Sequence, residues 1–282
     1  MKKQKNIIVP TDFSVTARNA FHYAEKLAEA ADATLTVAHV NEYFIPISDI
    51  AVAPLSRHEE PQLDEAMDNF INEEDISSGT LTKKAIKTRI LKGSPMHRIV
   101  DLSGEKETDW IVMGTTGLQD FISKIIGSTS FYVSNQAHCP VFLVSRDATW
   151  RPIRHILFAS NVFSAQLKMV HQIINFAEQF KASIHFVHVD EGHDEVAKVN
   201  TVIWDEFLAQ KSPTVSFQVH TISHSEAVKA LHHYAEEHNI DLVAFISPHR
   251  SFWKHLIHQS VTEGFAMVSE CPMLVMHLDD KQ

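Results

Sequence analysis

The stretch from Asn6 to Val40, NIIVPTDFSVTARNAFHYAEKLAEAADATLTVAHV, decides the fold. Short apolar runs stand at its two ends, Ile7–Val9 and Leu35–Val40, and both are typical of buried strands. Between them, Ser14 to Ala31 carries apolar residues at helical spacing, and Ser14 suits an N-cap. The stretch therefore predicts a strand, a helix and a second strand parallel to the first.

The same pattern returns later in the chain. His155 to Val189 aligns with Asn6 to Val40 without a gap, and both segments end in His-Val. A second block, Thr108 to Arg146, aligns with Ile240 to Leu278, and the first copy is longer in its middle. The extra residues are expected in a proline-containing loop near residues 41–60. The repeat predicts two domains, residues 1–147 and 152–282, with a seam at 147–152.

Each copy alternates short apolar runs with amphipathic segments. In the first copy the further strands are expected at Ala85–Leu91, Trp110–Met113 and Val141–Val144. The further helices are expected at Leu63–Ile76, Ser94–Leu102 and Ser128–Gln136. Strands that are apolar along their whole length need a helix layer on both faces of the sheet. The order predicts an α/β fold with a doubly wound parallel sheet in each domain.

Composition excludes several classes of protein. Of 282 residues, 44% are hydrophobic and 21% are charged, which is enough to build a core. The net charge of -10 argues against nucleic acid and anionic membranes as partners. The sequence contains no apolar run of membrane-spanning length. The two cysteines, Cys139 and Cys271, form no CxxC pair, so we expect buried thiols and a cytoplasmic location.

A glycine-rich loop suggests a ligand site. The segment from Met113 to Thr129, MGTTGLQDFISKIIGST, holds three of the eight glycines of the chain. It follows a predicted strand, and ligands of open α/β sheets bind beyond the carboxyl ends of strands. Gly114 would turn the chain, Gly117 would allow positive φ or close approach, and Gly127 would leave room for a ligand. The amides that open the next helix suit a phosphate, although ordinary turns remain an alternative.

The loop and its surroundings resemble a known family. The spacing Gly-x2-Gly-x9-Gly-Ser occurs with IIVPTDFS (7–14), GSPMHRIV (93–100) and HCPVFLVSR (138–146). Together these motifs are similar to those of the nucleotide-binding universal stress proteins, and the second copy matches more loosely. The resemblance implies two fused domains, each with a five-stranded parallel sheet of order 3-2-1-4-5 flanked by helices. It also implies ATP as the ligand, accompanied by Mg2+.

The resemblance assigns the site residues by position. The phosphates would be surrounded by Gly114, Gly117, Gly127, Ser128 and Thr129. The base and ribose would be faced by Pro10, Thr11, Asp12, Val40 and Met113. An aspartate at a strand end suits a ribose hydroxyl or Mg2+, and a helix cap is the alternative for the same residue.

The second copy serves as an internal comparison. Its residues at the three glycine positions are Ile246, His249 and Gln259, and only Ser260 is kept of the loop. The triplet Pro10-Thr11-Asp12 becomes Ala159-Ser160-Asn161, so the carboxylate is lost. We therefore expect no nucleotide in the second domain.

Histidines are concentrated in the second copy, which holds fourteen of nineteen. His185 and His188 fall on one predicted strand, where His193, His220 or His224 could join them. Imidazoles suit zinc, but the spacing matches no zinc motif, so no metal site is predicted. Surface and strand-end histidines are the expected reading, with a pH-sensitive surface as a variant.

The pattern favours a regulatory function over catalysis. We expect an ATP-binding stress-response protein that acts through nucleotide-dependent conformation or binding of an unknown protein partner. A slow ATPase or nucleotide hydrolase and a ligand-free scaffold are the alternatives, and the only loop cation, Lys124, offers little for phosphoryl transfer. The resemblance implies that the last strands, Val141–Val144 and Met273–Val275, pair within the chain. Chains would then pair again as a homodimer.

Overall fold

The computed structural model describes residues 4–42, 60–72, 86–115, 126–159, 167–190, 215–246 and 271–276. The first copy contains β1 (Lys5–Thr11), α1 (Val15–Ala31), β2 (Ala33–Asn41), α2 (Glu60–Asn72), β3 (Ile86–Lys92), α3 (Pro95–Ser103), β4 (Trp110–Gly114), α4 (Ser128–Gln136) and β5 (Val141–Val144). The second contains β6 (His155–Ala159), α5 (Leu167–Phe180), β7 (Ser183–Asp190), β8 (Phe217–Ser223), α6 (Ala227–Glu237), β9 (Leu242–Ile246) and β10 (Met273–Met276).

The predicted elements of the first copy all form. Helix α4 and strand β5 have the predicted bounds, and most other ends differ by one or two residues. Helix α2 begins at Glu60, earlier than the predicted Leu63, and the predicted residues 73–76 lie outside the described ranges. No helix in the described ranges combines the length and the apolar character that a membrane crossing requires.

Both copies build the same sheet. The strand order is β3-β2-β1-β4-β5 in the first copy and β8-β7-β6-β9-β10 in the second, so each has the expected order 3-2-1-4-5. The neighbours within each copy pair in parallel. The α/β doubly wound fold is thus confirmed in two tandem units.

The two sheets join into one sheet of ten strands. Strand β5 pairs with β10 in antiparallel fashion, with Leu143 opposite Met273 and Val141 opposite Val275. This is the pairing of last strands that the sequence led us to expect. It makes the complete sheet mixed, and it covers an edge of each half that would otherwise offer unpaired backbone groups.

Helix α1 shows how the sequence places the end of β1. The Ser14 side chain caps the helix by accepting a hydrogen bond from the Ala17 amide at 3.1 Å. Phe21, Ala24 and Leu27 are buried on one face, which packs the helix against the sheet. Asp32 ends the helix in the left-handed conformation, with φ of 51°. The rigid β1–α1–β2 unit therefore fixes the carboxyl ends of β1 and β2 side by side.

An aromatic cluster crosses the boundary between the copies. Trp110 and Phe142 of the first copy contact Phe176 of the second, with ring centroids 5.7 and 5.9 Å from it. The Lys5 ammonium lies 4.2 Å from the centre of the Trp110 ring, a cation–π contact. The Asn19 amide donates to the carbonyls of Ser145 and Ala148, which begin the linker. The two copies consequently share one core on this face of the sheet.

Tyr23 gives a test of packing at this boundary. Its ring packs against Trp150 at 4.9 Å, and its hydroxyl is buried with no hydrogen-bond partner among the described residues. Burial also raises the pKa of Tyr23 well above its ordinary value. Because an unsatisfied buried hydroxyl is costly, Tyr23→Phe is expected to leave the free energy of unfolding unchanged or raise it by about 1 kcal/mol.

Urea unfolding measures this effect, with Tyr234→Phe as the matched control. The Tyr234 hydroxyl lies 2.9 Å from Nδ1 of His185, so its removal is expected to cost about 1 kcal/mol. A loss for Tyr23→Phe as large as that for Tyr234→Phe would contradict the packing described here.

The two thiols are expected to be inert in the folded chain. Cys139 is 6% exposed, and burial raises the pKa of Cys139 to about 12; burial does the same for the pKa of Cys271. At pH 8 only about one thiol in ten thousand would be the reactive thiolate. Disulfide-exchange reagents should label both cysteines rapidly in urea and slowly in buffer, where Cys271, which is only partly buried, should react before Cys139. Fast labelling of Cys139 in buffer would contradict its burial.

Candidate functional site

A cavity of about 690 Å³ opens at the carboxyl edge of the first sheet, where β1, β2 and β4 end. Nine of the ten predicted site residues line it: Pro10, Thr11, Asp12, Val40, Met113, Gly114, Gly127, Ser128 and Thr129. Gly117, the tenth, lies outside the described residues. The parallel topology brings together the ends of β1, β2 and β4 and the start of α4, four segments that are separate in the sequence.

The turn after β1 is held by its own side chains. Oγ1 of Thr11 accepts a hydrogen bond from the Phe13 amide at 2.9 Å, and Oδ1 of Asp12 accepts one from the Ser14 amide at 3.0 Å. Phe13 has a positive φ of 63°, which this bonding supports. The helix cap itself is Ser14, so the structural role of Asp12 is to order the turn before the helix. Its carboxylate still faces the cavity.

His39 lies beside this turn, and the sequence reasoning missed it. Its Nδ1 lies 2.9 Å from the carbonyl oxygen of Thr11, and its ring packs on Phe13 at 4.6 Å. Because a carbonyl oxygen only accepts, Nδ1 carries the hydrogen, and the lone pair of a neutral ring is on Nε2. The position of His39 one residue before Val40, at the end of a strand, was the signal that would have found it.

Apolar side chains form the inner wall of the cavity. Val40, Ala38 and Met113 are buried at the ends of β2 and β4, and Met96 and Ile99 of α3 line the same space. Such a surface suits the flat face of an aromatic base. Glu42, which the sequence reasoning also missed, stands exposed at the mouth of the cavity.

Gly114 has a different role from the predicted one. It does not turn the chain, since it is the last residue of β4 and pairs with Val144. A Cβ on Gly114 would lie 2.9 Å from Cγ2 of Thr16 and 3.1 Å from the Thr16 backbone carbon. Glycine is therefore required here so that the first turn of α1 can approach the strand.

The two ends of the glycine loop are tied together. The Gly127 amide donates to the Thr115 carbonyl at 2.6 Å, and the Ser130 hydroxyl donates to the Gly114 carbonyl at 2.7 Å. These bonds fix the start of α4 against the end of β4. The two ends of the loop are therefore held next to each other. Residues 116–125, which connect them, lie outside the described ranges.

Helix α4 points its first amides at the cavity. Gly127 is its N-cap, with φ of -62° and ψ of 156°, and contributes no side chain. The amides of Ser128 and Thr129 lie in the first turn, where an α-helix has no acceptors of its own. The positive end of the helix dipole adds to them, so this end of the cavity suits an anion. The conformation of Gly127 is open to any residue, so the backbone angles alone do not require glycine here.

The charged side chains among the described lining residues are two carboxylates, Asp12 and Glu42. An anionic ligand would therefore meet backbone amides and hydroxyls at one end and negative charge near the other. Oxygen donors of this kind also suit a hard cation such as Mg2+. Across the described ranges, however, no three His, Cys, Asp or Glu side chains are grouped so that they alone could hold a metal.

The equivalent edge of the second copy is only partly described. Ala159 ends β6 and Ile246 ends β9, as the alignment predicts. Ser160, Asn161, His249, Gln259 and Ser260 lie outside the described residues, and so does His193. The expectation that the second domain binds no nucleotide therefore stays a prediction.

The expectation of surface and strand-end histidines is wrong for His185 and His188, which are buried, at 5% and 2% exposure. His185 and His188 lie on opposite faces of β7, because side chains three residues apart on a strand point to opposite sides. His185 instead lies near His220, with ring centroids 6.3 Å apart, and near two histidines that the sequence reasoning did not select, His155 and His238.

Comparison with known proteins supports the domain repeat. A family model described as the universal stress protein family matches residues 3–145 and again 152–277. A universal stress protein of Methanocaldococcus jannaschii is 30% identical over 149 residues, which are 50% of this chain and 82% of the relative. One of Thermus aquaticus is 31% identical over 140 residues, which are 50% of this chain and 98% of the relative.

A solved structure matches the whole chain. The crystal structure of a universal stress protein from Archaeoglobus fulgidus covers 98% of this chain with 97% of its own, at a TM-score of 0.68 and 19% identity. At that identity the likeness shows the fold alone. With both family matches spanning nearly all of its length, the chain belongs to the universal stress protein family, of which it carries two copies in tandem.

Proposed function

We propose that the first domain, residues 1–147, binds one adenine nucleotide in the cavity at its carboxyl edge, and that occupancy regulates the protein. The observation that carries this proposal is the meeting of β1, β2 and the start of α4 around one cavity of about 690 Å³. The three segments are distant in sequence, and each supplies a different kind of surface. Together they offer an apolar wall, a carboxylate and a helix N-terminus.

In the proposed arrangement the phosphates lie against Gly127, Ser128 and Thr129. The free amides and hydroxyls of this turn are the donors, and the helix dipole favours the negative charge. The base packs on Val40 and Met113, and Pro10 and Thr11 border the same space. Asp12 then faces the ribose, whose hydroxyls donate to a carboxylate.

Mg2+ fits this arrangement as a companion of the phosphates. The cation would be held by phosphate oxygens and by the Asp12 carboxylate, which is the kind of donor that Mg2+ prefers. When bound, it would neutralise phosphate charge near two carboxylates, Asp12 and Glu42. The protein's own contribution would be to orient the base and to hold the phosphates at α4.

Charge distribution favours binding over catalysis. Phosphoryl transfer depends on concentrated positive charge around the transferred group. The charged side chains among the described lining residues are instead Asp12 and Glu42. We therefore propose a nucleotide sensor with a role in the stress response, whose conformation or partner binding changes with occupancy.

Two chains that pair without separating their domains would have to use a surface other than the edges of β5 and β10 that already pair within one chain. Strand β5 lies between β4 and β10, so its edges are already occupied inside one chain. A homodimer through these last strands would require the two domains of each chain to separate. We propose that the second domain, residues 152–282, replaces the partner subunit at this edge.

Calorimetric titration with Mg-ATP tests the function. We expect one ATP to bind per chain, with GTP binding more weakly and no phosphate released above the buffer rate. Sustained phosphate release would establish the hydrolase alternative. If no adenine nucleotide gave a heat of binding or raised the melting temperature, the remaining alternative would be a scaffold that binds no ligand.

A further inference from the structure

Four histidines of the second domain form a group centred on His185, and three of them contact the ring of Tyr234; we call the four the histidine cluster. They are His155 on β6, His185 on β7, His220 on β8 and His238, which directly follows α6. The His185 ring centroid lies 5.7 Å from that of His155, 5.6 Å from His238 and 6.3 Å from His220. The Tyr234 ring lies 4.0 Å from His238 and 5.3 Å from His220. The cluster thus joins three strands to one helix.

The cluster is held by neutral hydrogen-bond partners. Nδ1 of His185, a side chain that is 5% exposed, lies 2.9 Å from the Tyr234 hydroxyl. Nδ1 of His155 lies 2.9 Å from the Ser183 hydroxyl. Nε2 of His220 lies 3.1 Å from the side-chain oxygen of Gln218. All three contacts can form with uncharged imidazoles, so the arrangement is satisfied near neutral pH.

Two carboxylates, Glu237 and Asp241, lie near the cluster, but neither is among the groups that act on His185. The groups that act on His185 are the other imidazoles, His155 from β6, His220 from β8 and His238 from the end of α6. The charge of Glu237 contributes to the raised pKa of Tyr234. The Asp241 carboxylate accepts hydrogen bonds from the backbone amides of Arg154 and His155. Among the described residues, the charges that act on His185 are therefore all of one sign once the cluster gains protons.

The first domain lacks this cluster at the corresponding place. Arg89 occupies the position of His220, because it pairs with Ala38 as His220 pairs with Val187. In the aligned sequences, Asn6 stands in place of His155 and Thr36 in place of His185. There the Asn6 side-chain oxygen accepts from the Thr36 hydroxyl at 3.1 Å, and Arg89 pairs with Glu105 at 2.6 Å. An arginine keeps its charge at every relevant pH. The first domain therefore has no group that changes its charge in place of His220, and a response to acid through this cluster is particular to the second copy.

Protonation of the cluster opposes folding. Burial, together with the neighbouring imidazoles, lowers the pKa of His185 to about 4, and burial lowers the pKa of His220. In an unfolded chain a histidine takes up its proton at about pH 6.5. Between about pH 6.5 and pH 4 the unfolded or opened state binds more protons, so stability that is complete above this window falls as the pH falls.

We propose that the histidine cluster is an acid-sensitive latch, which holds α6 against β7 and β8 while its imidazoles are neutral and releases α6 when they gain protons. The rest of the helix packs through small apolar side chains and one leucine, with Ala227, Ala230, Leu231 and Ala235 buried in the core. Loss of the cluster contacts leaves these side chains as the main attachment of α6. The latch makes the second domain the acid-sensitive half of the protein, in addition to any role of nucleotide in the first.

Hydrogen exchange of the full chain tests the latch. Amide exchange in α6 is compared with that in α3, its counterpart beside Arg89 and Glu105, at about pH 7.5 and about pH 5 after correction for intrinsic rates. One proton taken up on opening predicts an acceleration of about 30-fold in α6 between about pH 7.5 and about pH 5, with none specific to α3. Equal pH dependence of the two helices would overturn the proposal.

Two variants and a control sharpen the test. His185→Asn keeps a hydrogen-bonding group near Tyr234 but cannot titrate, so α6 should lose most of its pH dependence. His233→Asn changes an exposed histidine of the same helix and should behave as the wild type. A His185→Asn variant with the pH dependence of the wild type would overturn the latch.

The second variant, His220→Asn on the edge strand, serves even where His185→Asn does not fold. It removes one neighbouring positive charge, so an NMR titration should show the His185 imidazole gaining its proton at a higher pH than in the wild type. An unchanged His185 titration would show that the imidazoles do not interact and would overturn the proposal.

Discussion

Replacing Gly127 by valine is expected to weaken ATP binding by about 100-fold while the chain stays folded. Gly127 precedes the first turn of α4, where the proposed phosphate site lies, and a branched side chain there would occupy the space of the phosphate. Loss of two charge-assisted hydrogen bonds to amides, at about 1.5 kcal/mol each, gives a factor of about 100 in affinity.

The fold should tolerate this change. The φ of -62° and ψ of 156° at Gly127 lie in a region that valine adopts readily. Valine is a poorer N-cap than glycine, so a loss of about 1 kcal/mol in stability is expected. Calorimetric titration measures the affinity and urea unfolding the stability. Gly104→Val, at the end of α3 and outside the cavity lining, is the matched control and should bind ATP as the wild type does.

A folded Gly127→Val variant with unchanged affinity for ATP would place the phosphates elsewhere. Equal weakening by Gly104→Val would contradict the assignment as well, because it would show that any glycine substitution disturbs binding through the fold.

Replacing Gly114 by alanine is expected to lower the free energy of unfolding by about 3 kcal/mol, a cost typical of overpacking in a tight core. The added Cβ would lie 2.9 Å from Cγ2 of Thr16, and 3.1 and 3.2 Å from its backbone carbon and oxygen. Both β4 and Thr16 are buried here, and backbone atoms do not move aside as a flexible side chain would. Urea unfolding of the full chain measures the effect.

A second substitution separates the contacts at Gly114. Thr16→Ser removes the methyl group that the new Cβ would meet first but leaves the backbone contacts. Gly114→Ala should therefore cost less in the Thr16→Ser background than in the wild type, while still costing about 1 kcal/mol or more. Full stability of Gly114→Ala alone would contradict the close approach of α1 to β4.

Much of the fold follows from local sequence signals. Ser14 before an amphipathic segment placed the start of α1, and short apolar runs placed β1, β2 and β5 within a few residues. The internal repeat carried the same reading to the second copy. The order of the strands came from the family resemblance, because local patterns do not say which strands are neighbours.

Nine of the ten residues predicted for the site line one cavity, but the structural role of Gly114 was not predictable. Gly114 was read as a turn residue because its packing against Thr16 depends on tertiary structure that spacing cannot show. His39 could have been found from its position at the end of β2, whereas Glu42 is a single polar residue after that strand and gives no pattern of its own. The histidine cluster required the pairing of three strands, since His155, His185 and His220 are far apart in the chain.

The most direct test of the central claim is to count the adenine nucleotides that one chain holds at saturation. Protein is incubated with Mg-ATP, freed of unbound ligand and denatured, and the released nucleotide is compared with adenylate standards and with the protein concentration. We expect one ATP per chain for the wild type, and far less than one for Gly127→Val at the ATP concentration that just saturates the wild type, because its affinity is about 100-fold lower. Two per chain, or none from a folded wild-type protein, would contradict the claim.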